Sequence, residues 1–213
     1  MITVEKFVFN PFQVNTYLLI DETGNTIIID PGCADNHECN ELAVFISGQS
    51  LRLQQLVYTH CHVDHVAGNH FVCDTYGLKP LLHREGLPFF LKAHEHGKIY
   101  GFQLTPAEAP DKFLEHGDII KLGENELEVR YTPGHVDGHI VLVNHADHFV
   151  ITGDVLFRDS IGRTDFETGD FDLLMKSIHE QLFTLPDDYT VYCGHGPETS
   201  IGYEKVNNPF IRF

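Results

Sequence analysis

Alternating and helically spaced apolar positions divide this chain into short segments along its whole length. Residues 4–9, 15–20 and 26–30 read as strands, separated by Asn10-Pro11 and by Asp21-Glu22-Thr23-Gly24-Asn25, and together they predict an antiparallel meander. Over 37–47 the apolar positions Leu42, Phe45 and Ile46 recur at helical spacing, and Gly48 is placed to end the turn. Residues 53–59 read as a buried strand and 66–76 as a helix stopped by Gly77; a strand near Leu81 and a helix between Glu85 and His96 follow. Residues 97–118, interrupted by Pro106 and Pro110, form the longest expected connection, suited to covering a substrate. A hairpin is expected from 119–122 and 127–132 across Gly123-Glu124-Asn125, then strands at 140–144 and 148–152. Asp170 caps a predicted helix whose Phe171, Leu174, Ile178 and Leu182 form one stripe, ended by Pro186, and a last strand at 189–193 leads to a short closing segment.

Composition narrows the class. With 213 residues and no linker-like stretch or like-charge block, a single domain over 1–213 is expected. The chain has 14 basic against 31 acidic residues, a formal net charge of −17, which excludes binding along a nucleic acid. The start Met1-Ile2-Thr3-Val4-Glu5-Lys6 lacks a signal-peptide pattern and no apolar run approaches membrane-spanning length, so a cytoplasmic protein without membrane association is expected. Five cysteines, Cys33, Cys39, Cys61, Cys73 and Cys193, are odd in number, form no close C-x-x-C pair and fit reduced thiols.

The chemistry concentrates in Thr59-His60-Cys61-His62-Val63-Asp64-His65, directly after an apolar run. His60 and His62 leave one face of an extended segment together, while Asp64 and His65 lie past a turn and reach a neighbouring position, so one segment can serve two ions. Cys61 alternates with the two histidines and should point away into the packing. Three further side chains each follow a predicted strand and a glycine: His135 after Gly134, Asp154 after Gly153 and His195 after Gly194. With the first motif they make seven hard or borderline donors, a His/carboxylate set suited to open catalytic positions rather than a closed structural site. Asp30, before Pro31-Gly32, is either a turn carboxylate or a support near the site. His94, His96 and His116 lack ligand spacing and are expected at the surface.

These motifs, in this order, resemble the metallo-β-lactamase superfamily over essentially the whole chain. The resemblance implies an α+β fold, a four-layer αββα sandwich, with two divalent metal ions, zinc expected and iron or manganese acceptable, in a cleft at one edge. Carried over residue by residue, His60, His62 and His135 bind the first ion, Asp64, His65 and His195 the second, and Asp154 bridges; Asp64 and Asp154 are the catalytic carboxylates. Residues 153–157, 160–166 and 194–199, with Asn208-Pro209-Phe210, look most like the small glyoxalase II-like hydrolases. That implies thioester hydrolysis of S-lactoylglutathione-like small molecules by a metal-bridging hydroxide. The 213 residues are expected to end before a carboxy-terminal helical domain like that of those enzymes, and they carry Arg163 and Asp165 where Lys and Tyr are usual. Arg163 then either contacts substrate or forms a structural pair with Asp165. Two other readings are a mono-iron persulfide dioxygenase of the same fold, using His60, His135 and Asp154, and a non-catalytic metal-binding module.

Overall fold

The computed structural model describes residues 1–211. Two six-stranded sheets face one another. The first carries β1 (Thr3–Phe9), β2 (Val14–Ile20), β3 (Asn25–Ile29), β4 (Arg52–Val57), β5 (Pro80–His83) and β6 (Phe113–Leu114) in that spatial order. β1 to β3 form the expected antiparallel meander, and β4 to β6 continue in parallel, each reached by a crossover. The second sheet holds β7 (Ile119–Leu122), β8 (Asn125–Tyr131), β9 (Ile140–Asn144) and β10 (Phe149–Gly153) as an antiparallel run. A small ribbon of β11 (Leu156–Phe157) and β12 (Ser160–Ile161) follows, and β13 (Thr190–Cys193) then joins β10 in parallel, with β14 (Thr199–Ser200) at the edge.

The period-2 alternation explains the layering. Tyr17, Leu19, Ile27 and Ile29 point from the first sheet onto Leu127, Val129, Leu142 and Ile151 of the second. Their neighbours Leu18, Ile28 and Leu56 point outward onto α1 (Asn36–Gly48), α2 (Asn69–Tyr76) and α3 (Leu87–His96) through Leu42, Val72 and Phe90. Val141, Val143, Val150 and Val191 likewise meet α4 (Phe171–Ser177) and α5 (Ile201–Asn207) through Leu174 and Ile201. Four layers result, αββα, and complete burial of each such aliphatic side chain contributes about 1.5–3 kcal/mol.

Several boundaries differ from expectation. Gly48 lies inside the last turn of α1; the left-handed residue that ends it is Ser50, at φ 55°, with Leu51 N–H donating to Ile46 O at 2.9 Å. Helix α2 starts at Asn69 rather than at 66, because residues 62–66 close a turn through His65 N–H and Val66 N–H onto His62 O. Gly77 ends it at φ 68°, as expected. Asp170 caps α4 through Leu173 N–H, but Phe171 is 44% exposed and leaves the stripe, while Leu174, Ile178 and Leu182 are fully buried. From Ile178 to Leu182 the helix widens to a π turn, Phe183 N–H reaching Ile178 O. No helix among the described residues is long and apolar enough to cross a membrane.

Candidate metal centre

All seven predicted donors converge at the carboxyl ends of strands. β4 delivers His60, His62, Asp64 and His65, while β8, β10 and β13 deliver His135, Asp154 and His195. Two trios form, His60 with His62 and His135, and Asp64 with His65 and His195; within each, the donor atoms lie within 4.8 Å of one another. In the first, His62 Nδ1 lies 3.1 Å from His60 Nε2 and 3.0 Å from His135 Nε2. In the second, His195 Nε2 lies 3.2 Å from Asp64 Oδ2 and 3.3 Å from His65 Nε2. Asp154 stands between them: its Oδ2 is 3.6 Å from His135 Nε2 and 3.6 Å from His195 Nε2, and its Oδ1 is 3.4 Å from His65 Nε2.

The outer ring nitrogens of His60, His65, His135 and His195 each have a partner. His135 Nδ1–H donates to the Arg163 carbonyl at 2.7 Å, and His195 Nδ1–H to Phe12 O at 3.0 Å. His65 Nδ1–H donates to Asp30 Oδ2 at 2.9 Å, and that same oxygen takes Thr59 Oγ1–H at 2.5 Å. Thr59 Oγ1 in turn lies 3.2 Å from His60 Nδ1. Asp30 thus orients two of the histidines and is the site support, not merely a turn carboxylate; it sits at φ 48°, 1% exposed. Asp30, His60 and His65 also approach one another closely, but Asp30 spends both oxygens on hydrogen bonds to outer atoms, so this is an orienting group rather than a third ion site.

This donor set fits a pair of divalent ions. With their outer nitrogens donating, His65 and His195 aim their Nε2 lone pairs at one another across 3.3 Å, which is repulsive unless a cation intervenes. Burial holds His60 well below its ordinary pKa and His62 at about 3, so both are neutral donors. Burial opposes ionisation of Asp154 and Asp64, yet His65 and His195 outweigh it and keep both carboxyls below their ordinary values. Burial likewise opposes charge on His65, but Asp154 and Asp64 raise its pKa well above normal, so positive charge is demanded at that point, as proton or as metal. Asp154 Oδ1 is buried without a hydrogen-bond partner.

Glycine is required where the chain passes closest. A Cβ on Gly194 would stand 2.1 Å from Asp154 Oδ1, and Gly153, at φ 48°, would bring one within 2.5 Å of Thr59 Oγ1. Cys61 packs into the core away from the donors, its thiol pushed up by burial.

Three supports escaped the sequence reading. His139 is fully buried, stacks on His60 at 4.8 Å and accepts Asp154 N–H at 3.1 Å through Nε2; its only signal was a polar residue opening an otherwise apolar strand. Asn10, at φ 56°, donates to Asp64 O and Gly32 O, and Asn15 donates to Cys193 O and Gly196 O, tying the first sheet to the loop of His195. His96 departs from the expected surface position by lining the cleft, half-buried, whereas His116 is exposed. The cleft above the donors is about 840 Å³. Arg163 lines it, with a guanidinium forked onto Asp165 at 2.9 and 2.8 Å.

Residues 9–195 match the model of the metallo-beta-lactamase superfamily. Hydroxyacylglutathione hydrolase GloC of Haemophilus influenzae is 38% identical, over 98% of this chain and 97% of its own. Among solved structures, the BLEG-1 B3 metallo-beta-lactamase is 31% identical with a TM-score of 0.88, covering 99% of this chain and 100% of that one. TTHA1623, solved in a di-iron-bound form, is 32% identical with a TM-score of 0.86, covering 97% and 99%.

Proposed function

The chain belongs to the metallo-beta-lactamase superfamily, and from that premise we propose that it is a hydrolase of small-molecule thioesters that works with two divalent ions, zinc or iron. His60, His62 and His135 would hold one ion and Asp64, His65 and His195 the other, with Asp154 placed between the two trios. The observation that carries this reading is the position of Asp154 Oδ2, at 3.6 Å from one histidine of each trio. Support comes also from the di-iron neighbour and from the hydrolase relative. When bound, such ions supply Lewis acidity that lowers the pKa of a water and polarises a carbonyl.

The chain's own residues do the rest. Asp64 and Asp154 stay ionised and balance the positive charge that the reaction needs, and Asp30, Thr59 and the Arg163 carbonyl hold the histidine rings so that little reorganisation accompanies turnover. In the overall step, water oxygen joins the acyl carbon, the carbon–sulfur bond breaks, and the products are a carboxylate, a thiol and one proton released to solvent. A thiol, with a pKa near 8.5, departs without a strong acid from the protein, which matches a site with no Lys or Tyr at the donors.

Protein of measured metal content, assayed on a thioester panel by free-thiol release, tests this. Two ions per chain, turnover lost on chelation and turnover surviving thiol alkylation are expected, the last because Cys61 is buried. One iron per chain with oxygen consumption on a persulfide would instead establish the mono-iron reading, and loss of activity on alkylation alone would point to a cysteine nucleophile.

A further inference from the structure

The walls of the cleft are apolar rather than cationic. Phe12 meets Tyr100 edge-on at 5.7 Å, both lining the cleft, and Phe12 stacks on the buried Phe102 at 5.7 Å. Nearer the donors, Phe89 and Phe166 stand edge-on to His62 at 6.4 and 5.5 Å, and Phe157 lies 6.2 Å from His195. Much of this is open to solvent: Ile99 is 79% exposed, Tyr100 53% and Phe12 44%. Large apolar side chains exposed together around a reactive centre form a surface that gains by being covered.

Charge points the same way. Among the described residues, Arg163 is the only Lys or Arg lining the cleft, and it is held by Asp165 while its guanidinium lies 4.2 Å over the Phe166 ring. Glu167 lines the same cleft, and the chain carries a formal net charge of −17. Away from the metal donors, an anionic carrier therefore finds no unpaired Lys or Arg on the cleft walls to hold it.

We propose that the site selects thioesters of an uncharged carrier over those of an anionic one, with Phe12 and Tyr100 as specificity-determining contacts for that carrier. The reaction it serves rests on the hydrolase reading above; the preference itself rests on the walls. Phe12 also accepts His195 Nδ1–H through its carbonyl, so a group seated on its ring lies next to the second trio.

Two matched ligands test this on the metal-loaded protein: non-hydrolysable hexyl thioethers of N-acetylcysteamine, which is uncharged, and of glutathione, which is anionic, measured by titration calorimetry. The hexanoyl thioesters of the same two carriers are assayed in parallel. The uncharged ligand should bind at least about tenfold more tightly, equivalent to ~1.4 kcal/mol. Phe12→Ala and Tyr100→Ala should each shrink that margin, mainly by raising KM for the uncharged thioester with kcat little changed, circular dichroism confirming the fold. Equal or tighter binding of the glutathione thioether, or a margin unmoved in both variants, overturns the inference. A preserved binding preference without turnover of either thioester sinks the hydrolase reading alone; turnover without preference sinks this one alone.

Discussion

Asp154 and His195 differ in what their removal should do. Asp154 reaches both trios, whereas His195 belongs to one of them. His195→Ala should therefore loosen one ion, leave the other near full occupancy and lower hydrolysis by orders of magnitude, while Asp154→Ala should deplete both. Metal analysis of each variant beside its kcat/KM decides; near-normal metal content and rate in His195→Ala would end the two-ion assignment. His139 acts one step further out. Without it, the buried Asp154 N–H loses its acceptor and His60 loses the ring stacked against it. His139→Ala should weaken metal binding about 10- to 100-fold, with partial recovery in His139→Gln, whose side-chain carbonyl can accept the same hydrogen; competition against a chromophoric chelator reads this directly. Unaltered affinity in both variants would reduce His139 to a packing residue.

At the scale of elements, what was legible followed from local rules. The meander, the hairpin ending in Gly123 and the Asp170 cap each depend on period or turn chemistry within a few residues. The seven donors were legible because each follows a strand end. What remained hidden is that Ser50, two residues past the end of α1 at Gly48, takes the left-handed position, and, between distant segments, that Asn10 and Asn15 look like ordinary turn and strand polars until the loops of Asp64 and His195 fold against them. The β2–β3 turn offers a test at this scale. Asp21 accepts hydrogen bonds from Thr23 and Asn25, backbone and side chain alike. Burial opposes its charge, but those bonds outweigh burial and lower its pKa. Its stabilisation is thus complete above about pH 4, the unfolded Asp value, and is lost as pH falls through the lower folded value. Asp21→Ala should cost roughly 1.5–3 kcal/mol at pH 7, with a smaller difference from wild type at pH 2–3. Urea midpoints at the two pH values measure it; an equal loss at both would show that the carboxylate charge contributes nothing.

At the scale of the molecule, the donors divide between the sheets. His60, His62, Asp64 and His65 follow β4 of the first sheet, and His135, Asp154 and His195 follow β8, β10 and β13 of the second. Each trio draws on both: His135 joins His60 and His62, and His195 joins Asp64 and His65. Ions at these places would cross-link the two sheets at one edge of the sandwich, where Tyr17 and Asn15 of β2 already reach across to Cys193 O. An ion bound only by the folded chain stabilises it by RT ln(1 + [L]/Kd), about 4.1 kcal/mol at a thousandfold excess over Kd. For a chain of this size each kcal/mol moves the midpoint by roughly 2–4 °C, so each ion removed by chelation should lower Tm by roughly 8–16 °C, the loss of both by about twice that, and re-addition of metal should restore it. Far-ultraviolet circular dichroism should change little below the new midpoint, because the apolar layer between the sheets is independent of the donors. Calorimetric scans with and without chelator, repeated on His195→Ala, give the decisive comparison. The variant should lose only part of the metal-dependent shift, since its first trio is intact. A full shift retained in His195→Ala would place the stabilising ion wholly in the first trio, and the metal would then join the sheets through His135 and Asp154 without His195.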